Sequence, residues 1–290
     1  MLKEIIKSIR KIELKTRSFS NQNFIGRDNT SYKGLGMNFS EVREYHFGDE
    51  TRFIDWNVTA RYNTPHVKVF DEEREHVNMF FIDVSGSLDF GSNERTKRRV
   101  IIELFATMAF SCTQNQDKIG AVFFSDRVVK YFEPKKGRNY IWSILNFLID
   151  IKVESQSSNP EKAFSFFRKT KWKKYRLFLF SDLIFSDTDA ALNEFIKTKK
   201  KNSAFIIKVY DQLEYQVPFR GFYQIINSES GARTWINGYS SRTRAAYKDS
   251  VSDDYEQWKM ESRKNRIHLT QLSTGDNIFY ELNGFFKIRG

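Results

Sequence analysis

The sequence has little of what disulfide frameworks, membrane spans and zinc hydrolases require. Its single cysteine, Cys112, excludes an intramolecular disulfide, and its four histidines are scattered without metalloprotease spacing. There is no apolar run of 18 residues, and the N-terminus lacks the continuous apolar core of a signal peptide. We therefore expect no transmembrane segment, and the cytoplasm is the expected location.

Motifs for nucleotide hydrolysis and nucleophilic catalysis are also missing. Gly86 and Gly91 have the spacing of a phosphate-binding loop, but Ser92 and Asn93 follow them where lysine and serine or threonine are required. There is no Gly-x-Ser-x-Gly elbow. A haloacid-dehalogenase-type phosphatase would carry a second aspartate at Ser85, and no motif supplies that serine with a base. We therefore expect that the chain is not an enzyme.

The chain does have enough apolar residues for a large core and a marked excess of positive charge. Its 290 residues are 40% hydrophobic and include 28 phenylalanines. A chain of this size buries ~75% of its unfolded surface. The formal charge of +11 comes from 47 basic and 36 acidic residues. This charge fits a solvated, lysine-rich surface, and it also fits an acidic partner such as nucleic acid. The longest basic run is Lys199 to Lys201.

Hydrophobic patterning predicts an α/β fold over residues 76–212. Apolar runs at Val77–Asp83, Leu177–Phe180 and Ala204–Tyr210 are typical of strands covered on both faces. Helical patterns at 94–114, 139–150 and from 160 onward alternate with them. This series predicts a doubly wound, mostly parallel sheet. We expect residues 1–75, with a helix at 2–15, and residues 213–290, with a hairpin and a helix at 240–265, to pack on it as a smaller α+β part.

Small polar residues follow two of these strands, at the edge where open α/β sheets bind ligands. The first strand ends at Asp83, and Ser85 and Ser87 follow it at alternate positions. A later strand ends at Asp182. Ser158 precedes the helix that begins at Pro160. Hydroxyl and carboxylate oxygens suit Mg²⁺, Mn²⁺ or Ca²⁺ rather than zinc. The sequence therefore predicts a divalent-metal site, although either Ser158 or Asn159 also fits the role of N-cap for the helix that begins at Pro160.

A second candidate region lies within residues 38–71, where charged residues are interleaved with large aromatic ones. Two interpretations remain open for it. Arginine–carboxylate pairs, which are often bidentate, could simply hold an irregular segment in place. Alternatively, the segment forms a partner-binding surface, for which the candidate residues are Asp49, Arg52, Asp55, Trp56 and Arg61.

These motifs resemble those of a known family. The set Asp83-x-Ser85-x-Ser87, a later hydroxyl residue and Asp182 resembles the metal-ion-dependent adhesion site of von Willebrand factor A domains. The whole chain resembles domain-of-unknown-function family 58, which has a von Willebrand factor A-like core and is often encoded beside MoxR-type AAA+ ATPases. The stretches that carry this resemblance are Arg43–Trp56, Ala60-Arg61, Val67–Val69, Asp83–Ser87, Ser181–Leu183, Glu229–Gly231 and Leu282–Phe286.

The resemblance implies roles for the site residues. Ser85 and Ser87 would bind the metal directly, Asp83 would act through water, and Asp182 would complete the shell. Ser158 stands at the position of the family's threonine ligand. Mg²⁺ is the expected ion, with Mn²⁺ and Ca²⁺ as alternatives.

The resemblance also implies a function and a partner. We expect a protein-interaction module that serves a MoxR-type ATPase or its client in complex assembly or metal-centre insertion. Two alternatives are a nucleic-acid-binding protein that uses the basic surface and an Mg²⁺-dependent phosphoryl-transfer enzyme that uses Asp83 and Asp182.

Overall fold

The computed structural model describes residues 2–18, 38–71, 76–92, 95–152, 158–215, 221–226 and 233–287. The chain divides into two compact units. The larger unit is Met1–Gly26 together with His76–Gly290, and the smaller is Arg27–Glu75. The predicted boundary between residues 75 and 76 coincides with the point where the smaller unit ends and the second part of the larger unit begins. Residues 213–290, expected as a separate packing segment, belong to the same unit as the predicted sheet.

Helices and strands alternate through most of the described chain. The helices are α1 (Leu2–Ser18), α2 (Trp56–Tyr62), α3 (Lys97–Gln114), α4 (Arg138–Asp150), α5 (Pro160–Arg168), α6 (Thr188–Lys199), α7 (Gln212–Tyr215), α8 (Ser241–Lys264) and α9 (Ile278–Lys287). The strands are β1 (Asn38–Glu44), β2 (His66–Asp71), β3 (Val77–Asp83), β4 (Lys118–Phe124), β5 (Val128–Lys135), β6 (Arg176–Ser181), β7 (Ala204–Tyr210), β8 (Phe222–Ile226), β9 (Arg233–Asn237) and β10 (His268–Ser273).

The larger unit is built on a six-stranded sheet with the strand order β10-β7-β6-β3-β4-β5. All neighbouring pairs in it are parallel except β4 and β5, which are antiparallel. This arrangement confirms the predicted α/β class with a mostly parallel sheet. The chain passes from β3 to β4 on one side and later returns to β6 on the other side of β3. The order of the strands therefore reverses at β3 and β6.

Alternation along the buried strands places apolar side chains in two cores, one on each face of the sheet. On β3, Phe80 and Ile82 belong to one core, and Met79 and Phe81 belong to the other. The first core includes residues of α1, α3, α4 and α9, and the second includes residues of α5, α6 and α8. Because both faces are covered, the central strands are continuous apolar runs, as the sequence pattern predicts.

The sixth strand, β10, was not predicted from the sequence. It reads His-Leu-Thr-Gln-Leu-Ser and pairs in parallel with β7 at the edge of the sheet. Four of its six side chains remain partly or fully accessible, so it has no continuous apolar run. An edge strand of this kind gains its stability from backbone pairing with its neighbour, which leaves only a weak signal in the sequence.

Helix α1 packs within the larger unit, with Ile9 and Ile12 buried in the first core. Polar contacts to α3 and α4 also hold it in place. The Ser8 hydroxyl donates to Glu103 of α3 at 3.0 Å, and Arg138 of α4 donates to Glu13. The apolar stripe that the sequence shows at residues 2–15 is thus a packing face. In the described part of the chain, no helix combines the length and apolar character needed to cross a membrane.

The smaller unit contains an antiparallel pair, β1 and β2, joined by a short 3-10 helix at Thr51–Phe53 and by α2. Asp55 caps α2 by accepting hydrogen bonds from the backbone N–H groups of Asn57 and Val58, at 3.0 and 3.2 Å. Asn63 ends the helix in a left-handed conformation with φ of 55°. Local capping therefore determines where this helix begins and ends.

Candidate metal centre

The predicted metal-site residues meet at the carboxyl edge of the sheet, where the strand order reverses. Asp83 is the last residue of β3, and Asp182 directly follows β6, which is the neighbour of β3. Ser158 precedes α5, and the N–H of the next residue, Asn159, donates to the Ser125 carbonyl beyond β4 at 2.8 Å. A reversal of strand order opens a crevice at this edge of a doubly wound sheet, and ligands of such folds bind there.

Asp83 is the centre of the hydrogen-bond network at this edge. One of its carboxylate oxygens accepts the Ser85 backbone N–H at 2.8 Å. The other accepts the Ser158 hydroxyl at 2.8 Å and the Ser181 hydroxyl at 2.9 Å. Asp83 is 1% exposed. A single buried carboxylate therefore holds two hydroxyl groups and one backbone N–H from three separate segments of the chain.

The two serines that follow β3 are held close together by local backbone geometry. Ser85 is the N-cap of a single-turn 3-10 helix, Gly86–Asp89, which contains Ser87. Their hydroxyl oxygens are 3.1 Å apart and share a hydrogen bond, and both side chains are buried. The alternating pattern in the sequence thus becomes a turn that brings both hydroxyls to the same side.

Asp182 carries the second carboxylate of the site and is paired with a buried lysine. The Lys97 ammonium donates to one Asp182 oxygen at 2.8 Å, and the other oxygen accepts the Ile184 N–H at 3.3 Å. Lys97 also donates to Glu214 of α7. The Ser87 side chain lies near Asp182 and helps to hold the pKa of that carboxyl down, which links this ion pair to the serine turn. The five predicted residues thus form one connected cluster.

Burial and charge act in opposite directions on the two aspartates. Burial, reinforced by the negative charge of Asp182, raises the pKa of Asp83 to about 6, despite the hydrogen bonds that it accepts. Burial alone would also raise the pKa of Asp182, but the adjacent Lys97 ammonium outweighs it and holds that pKa below its ordinary value. Asp182 therefore stays ionised to a lower pH than Asp83, which titrates closer to neutrality.

The donor set fits a hard divalent cation. Within the described residues, no group of three or more His, Cys, Asp or Glu side chains is placed to hold a metal ion. A metal at this edge would therefore depend on the hydroxyls of Ser85, Ser87 and Ser158 together with Asp83 and Asp182. Hydroxyl and carboxylate oxygens are what Mg²⁺ and Mn²⁺ take in proteins. That these residues hold a metal stays a prediction.

Sequence reasoning missed three residues of this cluster: Ser181, Lys97 and Glu214. Ser181 lies in the Ser181–Leu183 stretch quoted for the family resemblance, and its hydroxyl also accepts the Leu183 N–H at 3.0 Å. A polar residue directly before the strand-terminal Asp182 was a usable signal. Lys97 and Glu214 gave none, because they are 117 positions apart and belong to no motif.

The candidate partner-binding residues of the smaller unit have two kinds of environment. Asp49 forms a bidentate pair with Arg43, with both N···O distances at 2.7 Å, and Asp55 caps α2. The Arg43 hydrogen bond lowers the pKa of Asp49 to about 2. These two carboxylates therefore have a structural role, as the first of the two interpretations expects.

The other three candidates are presented to solvent. Trp56 is 70% exposed, Arg61 is exposed, and Arg52 pairs with Glu50 at 2.5 Å on the surface. The Arg52 guanidinium also lies over the Phe53 ring, 4.8 Å from its centroid. Their use in partner binding stays a prediction.

Comparison with known proteins identifies the family. A model of the family described as "Protein of unknown function DUF58" matches residues 41–257, so the chain belongs to that family. The uncharacterized proteins Rv1480 of Mycobacterium tuberculosis and Mb1516 of Mycobacterium bovis are each 31% identical to it over 112 residues. The match covers 39% of this chain and 35% of either relative, so it spans about a third of their length.

Several solved structures have a similar fold. They include an aerotolerance-related membrane protein from Bacteroides fragilis, with a TM-score of 0.48 and 12% identity over 73% of this chain and 97% of that chain. BatB from Bacteroides thetaiotaomicron has a TM-score of 0.46 and 12% identity over 73% and 98%. The VWA domain of SpRpn10 has a TM-score of 0.43 and 13% identity over 72% and 94%. Identities this low concern the fold alone.

Proposed function

We propose that this chain is a non-enzymatic, metal-dependent protein-interaction module that acts in the cytoplasm. The observation that carries the proposal is the connected cluster at the carboxyl edge, in which Asp83 receives hydrogen bonds from Ser85, Ser158 and Ser181. The Ser85 hydroxyl shares its hydrogen bond with Ser87 rather than with a general base. This arrangement suits the binding of a cation better than it suits nucleophilic attack.

The charge of the cluster indicates what the metal would bind. Neutral hydroxyls supply the direct ligands, and the two aspartates act mainly from outside them, Asp83 through water. A divalent ion would therefore keep part of its positive charge, and one coordination position would stay open. At an effective dielectric constant of ~20, opposite unit charges ~4 Å apart attract by roughly 4 kcal/mol before desolvation. We propose that an Asp or Glu side chain of a partner protein fills the open position.

The proposed partner is a MoxR-type AAA+ ATPase or its client, and the proposed process is complex assembly or metal-centre insertion. Family membership supports this choice, because such ATPases are often encoded beside members of the family. The solvent-exposed Trp56, Arg52 and Arg61 of the smaller unit supply a second set of groups suited to a specific interface, since aromatic and arginine side chains dominate binding hot spots.

Binding to a purified MoxR-type ATPase from the same genome, measured by biolayer interferometry in Mg²⁺ and in chelator, would test the proposal. An AAA+ ATPase uses Mg²⁺ for its own nucleotide, so the chelator arm needs matched variants of this chain. We expect Asp83→Ala and Ser87→Ala to weaken binding at least tenfold in Mg²⁺ while circular dichroism shows an intact fold.

The control is a variant with Lys199, Lys200 and Lys201 changed to Gln. These residues lie at the C-terminal end of α6 and just beyond it, at the edge of the sheet opposite the cluster. Binding that survives both site substitutions but collapses in this control would refute the metal-site proposal and favour the basic surface. Turnover of a generic phosphoester that is lost in Asp83→Ala would instead favour the phosphoryl-transfer alternative.

A further inference from the structure

Lys97 is the most unusual residue near the candidate metal centre, because its side chain is 0% exposed and carries an ammonium group. It donates to Asp182 at 2.8 Å and to Glu214, whose other carboxylate oxygen accepts the Asp211 N–H at 3.0 Å. A buried charge is strongly destabilising unless it is paired and hydrogen-bonded. Both conditions are met here by carboxylates from two different segments.

The helix that carries Lys97 does not account for its position. Lys97 is the first residue of α3, directly after the N-cap Thr96. The N-terminus of a helix has a positive partial charge, which disfavours a lysine there. The favourable interaction must therefore come from the carboxylates of Asp182 and Glu214. One of these, Asp182, is also a predicted member of the metal shell.

The balance of charge around Lys97 leaves room for one further cation. The cluster holds the carboxyl groups of Asp83, Asp182 and Glu214 against the single ammonium that contacts two of them. A second lysine, Lys208 of β7, lies near enough that the charges of Asp182 and Glu214 oppose the lowering of its pKa by burial, and its Nζ is 4.5 Å from the centroid of the Tyr255 ring. The three carboxyl groups thus outnumber the two ammonium groups. The cation that contacts Asp182, a predicted metal-site residue, is Lys97.

We propose that Lys97 is a resident counter-cation of the metal centre. It neutralises Asp182 and Glu214 while no divalent ion is bound, so that the site stays folded, and it weakens the binding of a divalent ion because both would share Asp182. The proposal rests on the proposed metal site but not on a partner. Lys97 is a positioning residue, since it acts on the metal through Asp182.

The test measures Mg²⁺ and Mn²⁺ affinity by titration calorimetry in three chains: the wild type, Lys97→Met and Glu214→Gln. Removing the ammonium leaves the site more negative, so Lys97→Met should bind either ion about tenfold more tightly or better. Glu214→Gln removes a negative charge and leaves Lys97 to Asp182, so its affinity should fall several-fold. A purely structural role for Lys97 would not produce changes of opposite sign.

Thermal unfolding supplies a readout that does not depend on a partner. In chelator, Lys97→Met should unfold at a lower temperature than the wild type, because two buried carboxylates lose their counter-ion. Millimolar Mg²⁺ should restore most of this loss. The comparison variant is Lys208→Met, which removes another buried ammonium near Asp182 and leaves the 2.8 Å hydrogen bond from Lys97 to Asp182 in place. It should raise metal affinity by less than Lys97→Met does.

Opposite shifts in Lys97→Met and Glu214→Gln would support the inference, and shifts of the same sign or of less than twofold would overturn it. If Lys97→Met fails to fold in either condition, Glu214→Gln decides, and an unchanged affinity overturns the inference. If the wild type binds no metal but Lys97→Met does, the role of Lys97 as a counter-cation is supported and the proposed metal dependence of the wild type is refuted. Metal binding by none of the chains would overturn both.

Discussion

A buried aspartate lies at each edge of the central sheet, Asp117 at the amino edge and Asp83 at the carboxyl edge, and the groups around the two aspartates differ. At the amino edge, Asp117 precedes β4 and accepts hydrogen bonds from the His76 backbone N–H at 3.1 Å and from the Asn78 side-chain amide at 3.0 Å. The guanidinium of Arg176 lies 3.9 Å from it. Each of these partners is a hydrogen-bond donor or a positive charge, so none of them offers an oxygen to a cation.

At the carboxyl edge, the same kind of buried aspartate is surrounded by groups that can themselves bind a cation. Asp83 is bonded to the hydroxyls of Ser158 and Ser181, and a second carboxylate, Asp182, lies in the same cluster. Hydroxyls accept as well as donate, so they keep lone pairs for a metal, whereas amide N–H and guanidinium groups do not. The comparison indicates that the amino-edge cluster stabilises the fold and that the carboxyl-edge cluster is suited to binding.

The largest expected effect belongs to the amino edge. Asp117→Ala removes the carboxylate that accepts from the buried Asn78 amide and lies beside the Arg176 guanidinium, and removing one partner of a buried charge pair typically costs about 3–5 kcal/mol. We expect a loss of this size in the free energy of unfolding from urea denaturation, equal in Mg²⁺ and in chelator. A loss below ~1 kcal/mol, or one that Mg²⁺ repairs, would remove the distinction between the two edges.

The next effect is a pH dependence specific to the carboxyl edge. The pKa of Asp83 is raised from 3.8 to about 6, so the folded chain holds this proton more tightly than the unfolded chain does. The resulting stabilisation is fully present below about pH 4 and is lost as the pH rises through 6. At ~1.4 kcal/mol per pKa unit, roughly 2–3 kcal/mol is at stake.

The measurement is the stability of the wild type minus that of Asp83→Asn, followed from pH 4 to 7.5 in chelator. Burial also raises the pKa values of Asp117 and Glu214. The subtraction removes their contribution to the pH dependence, because both chains contain them. Mg²⁺ should flatten the difference, because a bound cation favours the ionised carboxylate. A difference that stays constant across this range would place Asp83 outside the titrating cluster.

A smaller effect separates the two serines that donate to the same Asp83 oxygen. Ser158→Ala removes one buried hydrogen bond and should cost about 1 kcal/mol of stability. Ser181→Ala removes two, since its hydroxyl also accepts the Leu183 N–H, and should cost about 1–2 kcal/mol. Only Ser158 is a predicted metal ligand. Calorimetry should therefore show at least a tenfold loss of Mg²⁺ affinity in Ser158→Ala and a much smaller loss in Ser181→Ala. Equal losses would mean that both serines act only by orienting Asp83.

The smallest effect is expected from the basic run beyond α6. Changing Lys199, Lys200 and Lys201 to Gln alters surface charge remote from the cluster, and such substitutions usually change stability by less than ~0.5 kcal/mol. Mg²⁺ affinity should stay within twofold of the wild type. As a direct check on the nucleic-acid alternative, the binding of a generic duplex should be negligible in both chains at 150 mM salt.

Much of this protein follows from local sequence pattern. The continuous apolar runs of β3 and β6 predict buried parallel strands, and the polar residues at their ends predict the edge at which a site forms. Asp83, Ser85 and Ser87 could be found because they are close in sequence and their spacing follows from a strand and a turn. The helix cap at Asn159, ahead of Pro160, was likewise predictable from residue type.

The tertiary structure alone decided which charges are buried. Thr-Lys-Arg-Arg at the start of α3 has the composition of a solvated helix end, yet Lys97 is fully buried while Arg98 and Arg99 remain partly accessible. Its burial depends on Asp182 and on Glu214, 85 and 117 positions away. Apolar burial follows a periodicity that one segment carries by itself. The burial of a charge depends on desolvation and on counter-charges from remote segments, and only the folded chain brings these together.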